Sequence, residues 1–316
     1  MNNFVEVLQF SLSVTMPIFL ILALGVLLYR IKLINDNFVD VGSKLVFNVT
    51  LPALLFLSII KTPLSEHSDF SLVIYGMIAV FLIYLLFEFF SARYIKEKAD
   101  RGVVIQGGFR SNMGIIGLAY CVNAYGDDVY SVAPIYLGGV TILFNVLSVI
   151  TLNKAVNKDA NLKGTLLKVL KNPLILSILS AVIVSYSGIT MPEIILKTGN
   201  YFAQMTLSLA LLCIGASLSF KTMKADLSNA LISSFGKLIF IPIITTFGGY
   251  LLGYRGMELG VLLLMSSAPS ASACYVMVKS IGGNDKLAAN IIVITTLASI
   301  LTTSFGITLL STYKLM

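Results

Sequence analysis

The fold class predicted for this chain is an all-α polytopic membrane protein: ten transmembrane helices forming two inverted five-helix repeats, with crossing broken helices at spans four and nine. Three observations predict it. The 316 residues are 57% hydrophobic and 12% charged, with a mean hydropathy of +0.92, whereas soluble domains carry about 25% charged residues. Apolar runs of about 20 residues recur ten times, each long enough to cross the hydrocarbon core as a helix that satisfies its own backbone hydrogen bonds. The two halves of the chain then repeat their spans and turns at a shift of about 157 positions.

The first run, within MNNFVEVLQFSLSVTMPIFLILALGVLLYR, has neither a positively charged leading region nor a small-residue cleavage site, so it is expected to be retained as span one. Spans are expected near 9–29, 38–60, 70–91, 102–124 and 130–152, then 170–188, 194–219, 227–252, 257–279 and 287–312. The longest polar stretch, Asn153 to Lys171, separates two groups of five. The expected organisation is a first repeat over 1–155, a cytoplasmic linker over 156–169 and a second repeat over 170–316.

Charge tests the count, because one span too many or too few would reverse every later loop. With the N-terminus outside, the inner loops hold Arg30, Lys32, Arg93, Lys96, Lys98, Arg101, Lys154, Lys158, Lys163, Lys168, Lys171, Lys221, Lys224, Lys279 and Lys286, and the outer segments only Lys61, Lys197, Arg255 and Lys314. This imbalance follows the positive-inside rule. It predicts a multi-pass protein of the cell membrane, plasma or inner, with both termini on the non-cytoplasmic side. The net charge of +7 therefore reads as a topology signal and not as a nucleic-acid face. Cys121, Cys213 and Cys274 all fall in apolar runs without a CxxC pair or a histidine cluster, and read as small packing residues.

The internal correspondence sets "PALLF" at 52–56 on "LALLC" at 209–213, and Asp69 and Ser71 on Asp226 and Ser228. Within one residue it also sets Pro17 near Pro173, and "YGDD" at 125–128 against "GGND" at 282–285. Five spans per half is an odd number, so the second half must enter the membrane from the opposite side. Inverted repeats of this kind are the usual plan of secondary transporters, whose sites form where broken helices of the two halves meet near the midplane.

Both expected breaks are visible. "GGFRSNMGIIGLAY", residues 107–120, puts Gly107, Gly108, Gly114 and Gly117 around Arg110, Ser111 and Asn112. "SSAPSAS", residues 266–272, puts Ser267, Pro269 and Ser270 at the matching place, with Pro269 opposite Asn112. Proline lacks an amide hydrogen, and glycine accepts backbone angles that other residues resist. The freed amides and positive dipole end of each second half-helix would suit a carboxylate or other anion, with Asn112 and Ser270 adding neutral hydrogen bonds. The competing reading is close helix packing through small residues, with Pro269 a tolerated kink.

Arg110 lies about eight residues into its span, roughly 12 Å deep at 1.5 Å per residue, where a lipid-facing cation is costly. Two readings stand: an attractor for an anionic substrate, or a structural arginine bonded to helix carbonyls or to Glu88. Glu88 could form an ion pair, carry a coupling proton or reach the interface, and a structural role is the favoured reading. "KLVFNVTLPALLF", residues 44–56, brings Asn48, Thr50 and a Pro52 kink into span two, and Asn145 is a comparable polar residue in span five. Lys44 and Lys237 are expected to reach toward interfaces, with a role at the site as the lesser alternative. His67, beside Glu66 and Asp69, is the single histidine and cannot build a multi-histidine metal site. No HExxH, P-loop or GxSxG motif is present, and "GGND" has no second intramembrane aspartate to make a protease pair, so no enzyme, metal or cofactor is expected.

"NVTLPALLF", "GGFRSNMGIIGLAY" and "APSASACYVMVKSIGGND", on this five-plus-five pattern, resemble the bacterial branch of the auxin efflux carrier family, the malate- and malonate-type permeases. The resemblance runs over essentially the whole chain. It implies a scaffold domain beside a transport domain, elevator-like alternating access and a homodimer. The family's crossover asparagine matches Asn112, and its second crossover proline matches Pro269. Plant members export indole-3-acetate and bacterial relatives are associated with malate, malonate and similar carboxylates; the long cytosolic loop of many plant members is absent here. Structural kinship with sodium-coupled bile-acid carriers raises sodium as a coupling ion, but no clear acidic sodium site is visible.

The sequence thus predicts a secondary carrier of a small organic anion, a mono- or dicarboxylate, with Asn112, Ser111, Arg110, Gly114, Pro269, Ser270, Ser267, Asn48 and Asn145 as candidate binding residues. A membrane sensor or interaction protein on a carrier scaffold, or an anion channel, is the competing class. Proton symport, sodium symport and potential-driven uniport are all left open.

Overall fold

The computed structural model describes residues 2–61, 70–156, 171–187, 189, 191–218 and 226–316. Nearly all of the expected linker, His67 with Glu66 and Asp69, and the inner-loop lysines at 158, 163, 168, 221 and 224 lie outside the described residues. Among the described residues the chain is all helical, without a strand. In order the helices are α1 (Asn2–Arg30), α2 (Asp36–Leu45), α3 (Leu51–Lys61), α4 (Ser71–Tyr94), α5 (Lys98–Phe109), α6 (Leu118–Tyr125), α7 (Ala133–Ala155), α8 (Pro173–Ser187), α9 (Glu193–Ser217), α10 (Leu227–Phe235), α11 (Ile241–Leu251), α12 (Gly256–Ser267), α13 (Ala273–Ile281) and α14 (Asp285–Thr312).

Seven helical stretches among the described residues are long and apolar enough to cross a membrane: Val5–Arg30, Asp36–Lys61, Ser71–Tyr94, Ala133–Ala155, Glu193–Ser217, Leu227–Leu251 and Asp285–Thr312. The other three expected spans are different objects. One is α8, only 15 residues long. The remaining two are the pairs α5/α6 and α12/α13, each interrupted by non-helical backbone. Phe89, Leu301 and Phe305 are 73%, 74% and 71% exposed, an apolar outer surface that only lipid could cover without penalty.

Two of the long stretches are continuous but carry a π turn. Val46–Thr50 joins α2 to α3, and Gly236–Phe240 joins α10 to α11. In both a proline follows at the second position of the next helix, Pro52 and Pro242. Proline has no amide to give the carbonyl one turn back, and the ladder shifts by one residue: the Leu51 amide donates to the Val46 carbonyl and the Ile241 amide to the Gly236 carbonyl. The kink expected at Pro52 is thus a widened turn.

Helix α1 packs along α9 and α14, α3 along α8 and α9, and α5 and α6 lie among α4, α7, α12 and α14. The α1–α9 contact needs glycine. A Cβ added at Gly215 would run into the Leu22 carbonyl, and one at Gly25 into the Leu212 carbonyl. Between α1 and α14 the contact is polar, with Ser11 Oγ donating to the Ser304 carbonyl (2.9 Å) and Thr15 Oγ1 3.0 Å from Ser304 Oγ. Such small polar residues let membrane helices approach closely where no hydrophobic effect drives them together.

Both broken pairs end on a glycine of positive φ, Gly126 after α6 (φ +62°) and Gly282 after α13 (φ +80°), in the "YGDD" and "GGND" segments. Gly282 takes the left-handed helical conformation (ψ 27°) and Gly126 a different one (ψ −147°); a side chain would be strained at either. Asn284 then caps α14 by accepting from the Leu287 amide (3.1 Å), and its Nδ2 donates to Asp100 (2.9 Å) and Asp226 (2.9 Å). Asn229 also donates to Asp100 (3.1 Å). This cluster binds together the starts of α5, α10 and α14.

Candidate functional site at the helix crossing

The two interruptions meet. Helix α5 stops at Phe109, and Arg110 turns to extended backbone (φ −85°, ψ 102°). Helix α12 stops at Ser267, and Ala268 does likewise (φ −57°, ψ 141°). The two extended stretches pair antiparallel, Ser111 opposite Ser270. The Asn112 amide donates to the Pro269 carbonyl (2.8 Å), and the Ala271 amide to the Arg110 carbonyl (3.1 Å). This is a minimal piece of sheet inside a helical protein, and it satisfies backbone groups that two helix ends would otherwise leave orphaned at depth.

Side chains fasten the crossing. Ser270 Oγ donates to the Gly107 carbonyl (2.5 Å), and the Ser270 amide donates to Thr295 Oγ1 (3.1 Å). Ser111 Oγ donates to the Ser266 carbonyl (3.4 Å), and the Ser267 carbonyl accepts from Thr303 Oγ1 (3.5 Å). Ser267 Oγ is buried without a partner.

Beyond the first break the helix restarts as a π turn, Met113–Gly117, whose first closing bond runs from the Gly117 amide to the Asn112 carbonyl (3.0 Å). The amides of Met113, Gly114, Ile115 and Ile116 therefore have no acceptor one turn back. Asn112 is 8% exposed, and among the described residues its carboxamide makes no hydrogen bond. Beyond the second break, α13 starts tightly, with the Cys274 amide on the Ala271 carbonyl (2.9 Å) and the Tyr275 amide on the Ser272 carbonyl (3.2 Å).

The four glycines of the first break do not take angles reserved for glycine; positive φ occurs elsewhere. Three serve close packing. An added Cβ would meet Ile291 at Gly107, the Phe87 ring at Gly108 and Met265 Sδ at Gly117. Gly114 has room, with Leu51 Cδ2 at 3.6 Å from an added Cβ. The packing reading holds for those three, because the crossing needs close approach more than unusual backbone.

Arg110 is buried, and its guanidinium reaches sideways to α7, donating to Asn145 Oδ1 (2.9 Å) and Ser148 Oγ (3.1 Å). Among the described residues it bonds neither Glu88 nor a helix carbonyl. Glu88 instead accepts from Lys154 (2.9 Å) and Tyr84 (2.9 Å). Asn48 is exposed and donates to the Lys44 carbonyl (2.8 Å) within the first π turn; no hydrogen bond joins it to the crossing. Lys44 pairs with Asp40 at an exposed position (2.7 Å).

Lys237 corrects the expectation that it reaches an interface. It is 0% exposed, and its Nζ donates to the Ser266 carbonyl (2.5 Å). It sits in the π turn between α10 and α11, too deep for its stem to reach water. The signal was there: Lys237 is ten residues from Leu227, about 15 Å at 1.5 Å per residue, beyond easy snorkelling.

A cavity of about 610 Å³ lies between α1, α3, α9 and α6, lined by Pro17, Leu57, Lys61, Asn123, Asn200 and Leu211 among others. None of the candidate residues lines it. Lys61 Nζ donates to Asn200 Oδ1 (2.9 Å) within its wall, which also includes Asp127.

The sequence matches the family described as membrane transport protein over residues 11–307. The chain belongs to this family, the auxin efflux carriers. An uncharacterized transporter of Methanocaldococcus jannaschii is 25% identical over 297 residues, covering 92% of this chain and 96% of its own length. An uncharacterized transporter of Methanothermobacter thermautotrophicus is 22% identical over 273 residues, 84% and 87%. The uncharacterized transporter YfdV of Escherichia coli K12 is 22% identical over 271 residues, 84% and 86%. In this auxin efflux carrier family member, Asn112 and Pro269 are bonded to each other through their backbones at the crossing.

Proposed function

We propose that the chain is a secondary carrier of small organic anions, mono- or dicarboxylates, and that the anion binds where the two broken helices cross. The observation that carries this reading is the start of the helix after the first break: four unbonded amides at the positive end of a helix, beside the Asn112 carboxamide that bonds nothing else. Amides and dipole together favour a carboxylate, and a neutral carboxamide donor adds to it without burying a charge. Arg110, held by Asn145 and Ser148, adds positive potential from one side.

In this reading the chain has ten spans in two inverted repeats, 1–155 and 170–316, with α8 and the two broken pairs completing the count and both termini outside the cell. The positive-φ glycines after α6 and α13, Gly126 and Gly282, support the repeat. Helices α1, α2/α3, α8 and α9 form a scaffold, and the remainder a transport unit that slides past it in an elevator motion. The cavity between α1, α3, α9 and α6 lies on the seam between the two. A homodimer built through the scaffold completes the arrangement.

The test is uptake of a labelled carboxylate panel by proteoliposomes, with sodium, pH and voltage gradients imposed separately. Saturable uptake by the wild type and its loss in Asn112→Ala are expected. Sustained conductance without saturation would indicate a channel, and absence of any flux a sensor. Normal uptake of every transported anion by N112A would remove the site from the crossing.

A further inference from the structure

The last carbonyls of a helix have no amide partner within it, and that end carries about half a negative charge. When a helix breaks inside a membrane, this end needs a compensating positive charge. In inverted-repeat carriers, unwound carbonyls and half-helix C-terminal ends are what coordinate the coupling cation. Here the C-terminal end of α12 is already occupied. Lys237 Nζ donates to the Ser266 carbonyl at 2.5 Å, and Ser111 Oγ donates to the same oxygen from the other broken helix. The end of α5 receives no side-chain cation: the Gly107 carbonyl accepts Ser270 Oγ, and the Gln106 carbonyl accepts the Arg110 amide.

The rest of the surroundings are equally one-sided. Among the described residues no carboxylate forms an ion pair with Lys237 or Arg110, and no group of three or more metal-ligating side chains occurs. Lys237 also sits in a π turn, a distortion frequent at functional sites. Gly236 beside it lies against the Phe87 ring, which lies against Gly108 of the first broken helix as well. The turn carrying Lys237 is thus packed to the crossing on two sides.

We propose that the ammonium group of Lys237 is a tethered cation, standing at the half-helix end where a carrier of this plan would take up a coupling sodium ion. The chain's own charge then completes the crossover, and anion binding there requires no sodium. Its place in transport rests on the anion-carrier reading; its cation chemistry does not. Lys237 acts as a positioning residue, through the Ser266 carbonyl and the Ser111 hydroxyl, on the stretch that holds Asn112.

The test starts without any cargo. Thermal unfolding of the purified full-length wild type, K237A and K237R is followed in N-methyl-D-glucamine, sodium and methylammonium chlorides at equal ionic strength. Wild type and K237R are expected to be indifferent to the cation. K237A is expected to melt earlier in N-methyl-D-glucamine and to recover, saturably, with sodium or methylammonium, small cations that fit the space the side chain leaves. In proteoliposomes, wild-type carboxylate uptake is expected to be equal with and without sodium, and K237A uptake to be lost and partly restored by the same cations. If K237A does not fold, K237S, which also leaves the space open, takes its place with the same expected recovery. Sodium stabilising the wild type, sodium-dependent wild-type uptake, or a loss in the neutral variants that no cation restores would each overturn the proposal. If cations rescue the neutral variant's stability but no carboxylate moves, the tethered cation stands and the anion reading falls.

Discussion

The two breaks occupy matching places in the two halves, yet they are built for different ends. The first is open: past Arg110 and Ser111, the helix restarts as a π turn whose first four amides, like the Asn112 carboxamide, make no hydrogen bond among the described residues. The second is closed: both donors of Ser270 are engaged, α13 tightens at once, and the end of α12 holds Lys237 and Ser111. The backbone geometry of the crossing is shared, and the side chains divide the labour within it. One strand of the crossing offers hydrogen-bond donors, and the other holds it still.

The largest effect should separate the two by function. Asn112→Ala removes a donor that supports nothing in the protein, so its melting temperature should hardly move. A hydrogen bond to a charged group contributes about 1.5–3 kcal/mol, and 1.4 kcal/mol is about tenfold in affinity, so anion affinity should fall about tenfold or more. Uptake kinetics beside thermal unfolding would check both halves of this statement. A variant that melts early but transports normally would show that the first break is structural too.

Arg110 decides how far the first break depends on its neighbours. Asn145→Ala takes away one of the two polar contacts of a buried guanidinium, leaving donors without acceptors, which costs about 1–3 kcal/mol. If Asn145 acts only through Arg110, a double-mutant cycle with Arg110→Ala should give a coupling of about 0.5–3 kcal/mol, as contacting residues do. Additive losses by chemical denaturation would mean that the arginine finds its support elsewhere, and its electrostatic role would have to be argued afresh.

The crossing itself was legible in the sequence because its ingredients break helices. Glycines, serines, an asparagine and a proline in two apolar runs are conspicuous, and the shift of about 157 positions sets Asn112 opposite Pro269, whose backbones are bonded. What the sequence hid depends on three-dimensional neighbours. Asn145 and Ser148 lie three apart on one face of α7, but nothing along the chain says that Arg110 from another helix will meet that face. Lys237 was misread because a lone lysine in an oily run usually reaches for water; only its distance from either end argued otherwise. The π turns were half visible: Pro52 and Pro242 announce a disturbed ladder without saying that it relaxes by widening.

A smaller effect tests the closed character of the second break. Ser270→Ala removes the donor to the Gly107 carbonyl and leaves that oxygen, at the end of a broken helix, without a side-chain partner. The expected loss is about 1 kcal/mol of stability, the size of one ordinary hydrogen bond, with anion affinity unchanged. A fall in affinity without a fall in stability would place Ser270 beside Asn112 as a ligand-facing group and erase the distinction between the breaks.

The smallest effect concerns Pro269, the residue that most plainly marks a break in the sequence. The first break contains no proline between Gly107 and Gly114, yet α5 ends as completely as α12 does. Proline is therefore not what forces a helix open here; the backbone bonds between the two stretches and the side chains on the exposed helix ends are. Pro269 contributes its carbonyl to the Asn112 amide (2.8 Å), and alanine would keep that carbonyl. Proline's remaining benefit is a stiffer unfolded chain, about 0.4–1 kcal/mol, so Pro269→Ala should lower stability by no more than that and leave uptake intact. If instead P269A abolishes transport, α12 has run on past Ser267 and pulled the Ser111–Ser270 pair apart, and the bonds from Lys237 and Ser270 are too weak to hold the break alone.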